Sequence, residues 1–305
     1  MNKFIFTSRL KELYNEIIKM GGTIEFETSD IVYQDSWGCQ TPTGQHSSLI
    51  TIHKDHMNEE IIAHELLHAY YQEKGFLSVD FIADETNPKS KISLWLHNAF
   101  IHELIYSEAT KRGFDNSELN LRCAMYNKES LGRTVEYPNL IDNIILALQL
   151  LDIENRCKDY REFYVDELNR NFPSTVRIIK YLKEKSFDSD YNTPFQYRKA
   201  MIKCLRAIDE LCINSNVTSL NLKHSMIAKY IPSKRQLDLK VKQVFDIKPN
   251  YLKENDNIMS VVISKNENQS CYFLQRIDNE QLLEQLNNLT VKQFYDTLGL
   301  QFVER

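Results

Sequence analysis

The sequence has few of the residues that make turns and tight backbone loops. It contains only 8 glycines and 7 prolines in 305 residues, where average usage would give roughly 20 and 15. This scarcity argues against a turn-rich β-sandwich and favours helices. Neither G-x-G-x-x-G nor G-x-x-x-x-G-K-[ST] occurs, which excludes the Rossmann and P-loop nucleotide-binding motifs.

The sequence also lacks long hydrophobic runs and clustered cysteines. No apolar run approaches the length that a membrane-spanning helix needs. The six cysteines are scattered and contain no C-x-x-C, which is typical of reduced thiols and not of a disulfide framework or a cysteine zinc site. The N-terminal apolar run before Arg9 is too short for a signal peptide. We therefore expect a cytoplasmic protein with no membrane contact.

The net charge of −5 hides one basic segment. Residues 195–249 carry 11 Lys and Arg against 4 Asp and Glu. One interpretation is an electrostatic patch for nucleic acid or an acidic partner. The interpretation we favour is a set of amphipathic helices with solvated faces, because few aromatic residues lie between the charges and the whole chain is acidic.

The hydrophobic periodicity changes from mixed to helical along the chain. The first part predicts helices at 8–20, 58–74 and 92–112, extended segments at 23–28, 31–39 and 47–53, a turn at 41–44 and a loop at 81–91. Later residues predict helices at 140–157, 173–185, 194–212 and 232–245, a hairpin of 258–264 and 271–276, and two short terminal helices. The pattern indicates an α+β protein with three segments, namely a mixed first domain (1–130), a helical domain (131–249) and a small α/β C-terminal region (250–305).

The predicted helix at 58–74 contains H-E-L-L-H at positions 64–68, which is an H-E-x-x-H motif. Residues four apart on a helix lie on one face, so His64 and His68 can bind one metal ion. Glu65 is next to the first of these ligands, where it can act as general base toward a water that the metal activates. The motif therefore predicts a single catalytic Zn²⁺ held by His64 and His68, with Glu65 as the base of a hydrolytic reaction.

The stretch IIAHELLHAYY resembles the extended motif of the zincin metallopeptidases, over roughly residues 45–110. The metzincin branch fits poorly, because Tyr71 and Lys74 stand where it has Gly and His, and the thermolysin branch has Glu where this chain has Pro88. His64–Ala69 is similar to the His-Glu-Leu-x-His-Ala of the SprT-like group, and the order of elements is similar to the ImmA/IrrE group. The resemblance implies that the first domain holds a small mixed sheet, the H-E-x-x-H helix, a second active-site helix and one catalytic zinc.

A catalytic zinc normally has three protein ligands and one open position. The second helix offers His97, His102 and Glu103. His97 and His102 are five residues apart and point about 140° away from each other, so they are not expected to bind the same ion. We favour His102 and keep Glu103 and His97 as alternatives. On the face of His102, Asn98 would orient the ligand or the substrate, and Tyr106 would donate to the developing oxyanion.

The sequence thus predicts a zinc-dependent metallopeptidase that acts on a protein or peptide substrate. We expect an extended substrate peptide to lie along the strand at 47–53. The alternative function is a regulatory protein that binds DNA or a protein partner on a zincin scaffold, with little or no peptidase activity. The retained Glu65 favours the peptidase, because a purely structural zinc site needs no base. Nucleic acid is the less favoured partner, and the oligomeric state stays open.

Overall fold

The computed structural model describes residues 6–30, 37–44, 46–81, 87–254, 257–300 and 302–305. It is a mixed α+β structure with many helices and small sheets, which confirms the predicted fold class. The chain divides into two compact units. The first unit is Met1–Phe76, Ala99–Thr134 and Asp152–Asn171, and the second unit is Leu77–Asn98, Val135–Leu151 and Phe172–Arg305. The three segments expected from the sequence follow chain order, whereas these two units alternate along the chain.

The first unit contains a mixed three-stranded sheet. Its strands are β1 (Thr23–Ser29), β2 (Gly38–Gly44) and β3 (Ser47–His53), in the order β1-β3-β2. β3 is parallel to β1 and antiparallel to β2, so both of its edges are paired. The expectation that a substrate peptide lies along 47–53 is therefore wrong, because no edge of β3 is left to accept another strand. Within the described residues, β2 is an edge strand of this sheet.

Two helices of the first unit support this sheet. α1 (Ser8–Lys19) packs against α2 (Glu59–Glu73), and α2 also contacts β2 and β3. The Thr7 side chain accepts a hydrogen bond from the Leu10 N–H at the start of α1, and Gly21, with φ of +97°, follows its end. Only a residue without a Cβ adopts that φ at no steric cost. The buried face of α1 is Leu10, Leu13 and Ile17.

The other helices of this part of the chain agree with the sequence pattern only in part. They are α3 (Pro88–Lys111), α4 (Ser117–Arg133), α5 (Leu140–Arg156) and α6 (Val165–Asn171), with 3₁₀ turns at Lys54–His56 and Lys158–Phe163. α3 begins four residues earlier than expected, inside the loop predicted at 81–91. The Asn87 side chain accepts from the Lys89 N–H at 3.0 Å and so caps this start. Residues 82–86 of that predicted loop lie outside the described residues.

The second unit combines helices with two further sheets. Its remaining helices are α7 (Pro173–Leu182), α8 (Pro194–Asn214), α9 (Leu222–Ser225), α10 (Lys234–Leu237), α11 (Val241–Val244), α12 (Glu280–Asn288) and α13 (Val291–Leu298), and a π-helical turn spans Lys183–Phe187. β4 (Asp80–Phe81) pairs with β5 (Met226–Ile227). β6 (Phe245–Glu254), β7 (Asn257–Ser264) and β8 (Gln269–Leu274) form an antiparallel sheet. The predicted hairpin is thus present and has a third strand.

Two local predictions are wrong. The segment 41–44, expected to be a turn, belongs to β2, where Pro42 is tolerated because an edge strand need not use every N–H. The helix expected at 232–245 is instead two single turns, α10 and α11, followed by the start of β6. Phe245 and Ile247 are buried on either side of Asp246. This alternation is typical of a strand, and the prediction of a helix did not take it into account. Among the described residues, no helix is both long and apolar enough to cross a membrane.

Candidate metal centre

Helix α2 carries the H-E-x-x-H motif on a well-anchored scaffold. The Asn58 side chain caps its first turn by accepting from the Ile61 N–H at 2.9 Å. The helix is buried around most of its circumference, and Leu66 and Leu67 are both at 0% exposure. His64 and His68 are four residues apart, so they share one face of the helix, and both are partly exposed. Their ring centroids are 4.9 Å apart.

The third imidazole of this centre is His102, on α3. Its ring centroid is 4.9 Å from that of His64 and 4.9 Å from that of His68, so the three rings form an equilateral triangle. One ligand atom from each ring lies within 4.8 Å of the others, and the Nε2 atoms of His68 and His102 are 3.0 Å apart. Nitrogen ligands of a tetrahedral zinc lie about 3.3 Å from one another, so the set fits such an ion.

Asp152, on α5, hydrogen-bonds the ring of His102. Its Oδ1 accepts from the Nδ1–H of His102, and both side chains are buried, at 9% and 8% exposure. With the proton held on Nδ1, the Nε2 lone pair of His102 faces the other two histidines. A carboxylate in this position fixes the tautomer and orientation of a metal-binding histidine. Asp152 was not predicted from the sequence. The feature that could have indicated its role is an acidic residue inside the apolar helix LALQLLDIEN.

Glu65 packs directly against the edge strand β2. It is 6% exposed, and its carboxylate accepts a hydrogen bond from the backbone N–H of Gln40. Burial raises the pKa of Glu65 to about 8, although the Gln40 hydrogen bond and the charge of Arg156 act in the opposite direction. A Cβ on Gly38 would lie 2.9 Å from Glu65 Oε1, so this close approach requires glycine. The carboxylate is therefore a strengthened base held in one place.

The electrostatics of His64 suit a neutral ligand. Burial is the largest cause that lowers its pKa well below the usual range, and the charges of His102 and Arg156 add to this effect. A neutral imidazole has a free lone pair, which is the form that coordinates metal ions.

Tyr106 lies one turn beyond His102 on α3. Its ring centroid is 5.5 Å from that of His64, nearly parallel at 29°, and 5.6 Å from that of His102. Burial raises the pKa of Tyr106 above its usual range, which keeps the hydroxyl protonated and able to donate. The structure thus brings together four of the side chains expected at the site, namely His64, His68, His102 and Tyr106. Glu65 is next to His64 in the chain, and its carboxylate is held against β2.

The other candidates lie outside this group of side chains. Glu103 is exposed on α3 and is not part of the three-histidine cluster. His97 and Asn98 belong to the second unit, where the Nδ1 of His97 is 2.8 Å from the hydroxyl of Tyr197. The 140° separation between His97 and His102 on one helix accounts for their different surroundings.

No family model, curated protein or solved structure matches this chain.

Proposed function

We propose that the protein is a zinc-dependent metallopeptidase. The observation that carries this proposal is the triangle of His64, His68 and His102, with Glu65 next to His64 in the chain and its carboxylate fixed against β2. Three neutral nitrogen ligands leave one position of a tetrahedral ion open, which is the pattern of catalytic zinc sites and not of closed structural sites. The resemblance of IIAHELLHAYY to the zincin motif supports the same function.

His64, His68 and His102 would hold the ion. A zinc ion in such a site supplies Lewis acidity, which lowers the pKa of water and polarises a carbonyl. Glu65 takes the proton of the attacking water on its carboxylate and passes it to the leaving amine nitrogen. The Tyr106 hydroxyl donates to the carbonyl oxygen as negative charge develops there. Asp152 holds the His102 ring in position throughout.

The edge strand β2 is our proposed binding site for the substrate backbone. β2 pairs on one side with β3 and contacts helix α2, which carries Glu65. An extended peptide that adds to a sheet edge is held by main-chain hydrogen bonds, so its sequence matters little for affinity. The scissile bond would lie near Gly38 and Gln40, since both residues are close to the Glu65 side chain.

The proposed setting is the cytoplasm. All six cysteines are free thiols, and four of them are buried. A reducing compartment keeps thiols in this state.

The experiment compares zinc content and peptide hydrolysis in the wild type and in Glu65→Gln. We expect one zinc per chain in both proteins, and a loss of kcat of at least about 100-fold in the variant, because the base is removed while the histidines remain. Glu12→Gln is the matched control, since Glu12 is exposed on α1. Absence of zinc from the wild type, or hydrolysis that survives in Glu65→Gln, would refute the proposal. Zinc binding without any hydrolysis would favour the regulatory alternative.

A further inference from the structure

Arg156 is the last residue of α5 and lies one helical turn after Asp152. Residues four apart share a helix face, so the Arg156 side chain starts on the face whose carboxylate holds His102. Its Nε atom is buried and has no hydrogen-bond partner among the described residues. A buried donor without an acceptor destabilises a fold, and natural structures contain few of them. The unsatisfied nitrogen is therefore available to an acceptor on a ligand.

The charge of Arg156 acts on the candidate metal centre. The Tyr106 hydroxyl is the strongest influence on the pKa of Arg156 and raises it. The guanidinium in turn lowers the pKa of His64, although burial and the charge of His102 are larger causes. The helix position places Arg156 on the face that carries Asp152, and its electrostatic coupling to Tyr106 supports a position near the same centre.

Three other groups near Arg156 already have partners, whereas the buried Asn120 Oδ1 has none among the described residues. The Asp152 carboxylate is engaged by His102. The Cys157 thiol donates to the Asn120 carbonyl at 3.3 Å, and the Cys123 sulfur accepts from the Asn127 amide at 3.4 Å. None of these groups satisfies the Arg156 Nε.

A fixed cation next to a metal centre does not help to retain the metal. Like charges repel, so a guanidinium near three neutral histidines opposes the binding of a divalent cation. With zinc bound, the two carboxylates of Glu65 and Asp152 would leave the site with one positive charge in excess. An anionic oxygen would remove that excess and would also give the guanidinium its acceptor.

We propose that Arg156, together with the Tyr106 hydroxyl, binds an anionic oxygen of the substrate at this centre. The inference rests on the proposed function, because the anion is part of the molecule that is hydrolysed. Two sources share this chemistry. One is a carboxylate on the substrate, and the other is the carbonyl oxygen that becomes negative during attack.

The first experiment measures anion binding and not activity. The line width of ¹³C-labelled acetate reports its affinity for the zinc-loaded and for the metal-free chain, in the wild type, in Arg156→Gln and in Arg161→Gln. We expect Arg156→Gln to weaken acetate binding at least about tenfold and to bind zinc as tightly as the wild type or more tightly. Arg161 pairs with Glu154 and is mostly exposed, so its variant should match the wild type. Equal acetate affinity in Arg156→Gln and the wild type would overturn the proposal.

Arg156→Lys keeps the test decisive if the glutamine variant does not fold. Lysine retains the charge but loses the planar fork and its two parallel hydrogen bonds. Acetate binding weakened at least about threefold supports the proposal. Unchanged acetate binding in a folded Arg156→Lys protein overturns it.

The second experiment identifies the source of the anion. It compares one cleaved peptide with a free C-terminal carboxylate and the same peptide with a C-terminal amide. If Arg156 binds the carboxylate, Arg156→Gln raises KM only for the free acid. If Arg156 stabilises the oxyanion, the variant lowers kcat for both peptides. Acetate binding that depends on Arg156 in a protein without peptidase activity would show that Arg156 binds anions but would refute the proposed function, and with it the role of the anion as part of a hydrolysed substrate.

Discussion

Replacing Gly38 by alanine is expected to displace the candidate base and leave the metal ligands in place. A Cβ at this position would lie 2.9 Å from Glu65 Oε1, from Glu65 Cγ and from Ile61 Cγ2. Nonbonded carbon atoms normally stay about 3.5–4.0 Å apart. The end of the Glu65 side chain must therefore move by about half an ångström or more. A misplacement of about 1 Å can cost about 100-fold in rate, so we expect kcat to fall about tenfold.

The assay for Gly38→Ala combines three measurements on the same protein. They are kcat and KM for a peptide that the wild type cleaves, bound zinc by atomic absorption, and the free energy of unfolding in urea. The atoms nearest the new methyl group belong to Glu65 and Ile61, so zinc should stay at one per chain. Overpacking against Ile61 should lower the free energy of unfolding by about 1–3 kcal/mol.

Gly132→Ala is the matched control because it makes the same chemical change inside helix α4. The nearest atom to its new Cβ is Glu167 Cγ at 3.8 Å, an ordinary contact. We expect this variant to gain up to about 1 kcal/mol of stability and to keep the wild-type kcat. Wild-type kcat in Gly38→Ala would refute the placement of Glu65 against β2. Loss of zinc together with activity would refute it as well, because the change would then act on the histidines.

Three further predictions concern the partners of the site and of the fold. Asp152→Asn should weaken zinc affinity about 10- to 100-fold in a competition with a chelator, since His102 loses its charged acceptor; unchanged affinity would contradict this. His102→Ala should lose stoichiometric zinc, whereas His97→Ala should retain it, and the reverse result would make His97 the ligand. Arg198→Ala removes the buried guanidinium that donates to both Glu267 carboxylate oxygens at 2.7 Å. It should lower the free energy of unfolding in urea by about 3–5 kcal/mol, and a loss below about 1 kcal/mol would show that the pair contributes little.

Arg198 also bears on how the basic segment 195–249 was interpreted. Its side chain is buried, pairs with Glu267 and donates to the carbonyls of Ala228 and Lys229. This cation therefore stabilises the second unit and is not presented to a partner. Composition alone counts it with the exposed lysines, because a charge count does not distinguish a buried arginine from a solvated one.

Features that depend on neighbours in the chain were predictable. His64 and His68 share a helix face because a helix turns once in about 3.6 residues. Glu65 was predictable as the base because it is next to His64 in the same motif. The end of α1 near Gly21 follows from the backbone freedom of glycine. The prediction failed where local preference was ambiguous, as at 41–44 and 232–245. At 41–44, pairing with β3 decided the conformation. At 232–245, two single helical turns formed instead of one helix, and Phe245 begins the strand that pairs with β7.

The sequence by itself determined the helix that carries H-E-x-x-H and the general α+β class. It also limited the third metal ligand to His102, Glu103 or His97. Only the tertiary structure decided that His102, and not Glu103, faces the other two histidines, because that depends on how α3 packs against α2. It also brought Asp152 to His102 across 50 residues of chain and Gly38 to Glu65. Such contacts join residues far apart in sequence. They cannot be predicted from periodicity or spacing, because each arises from the packing of whole elements.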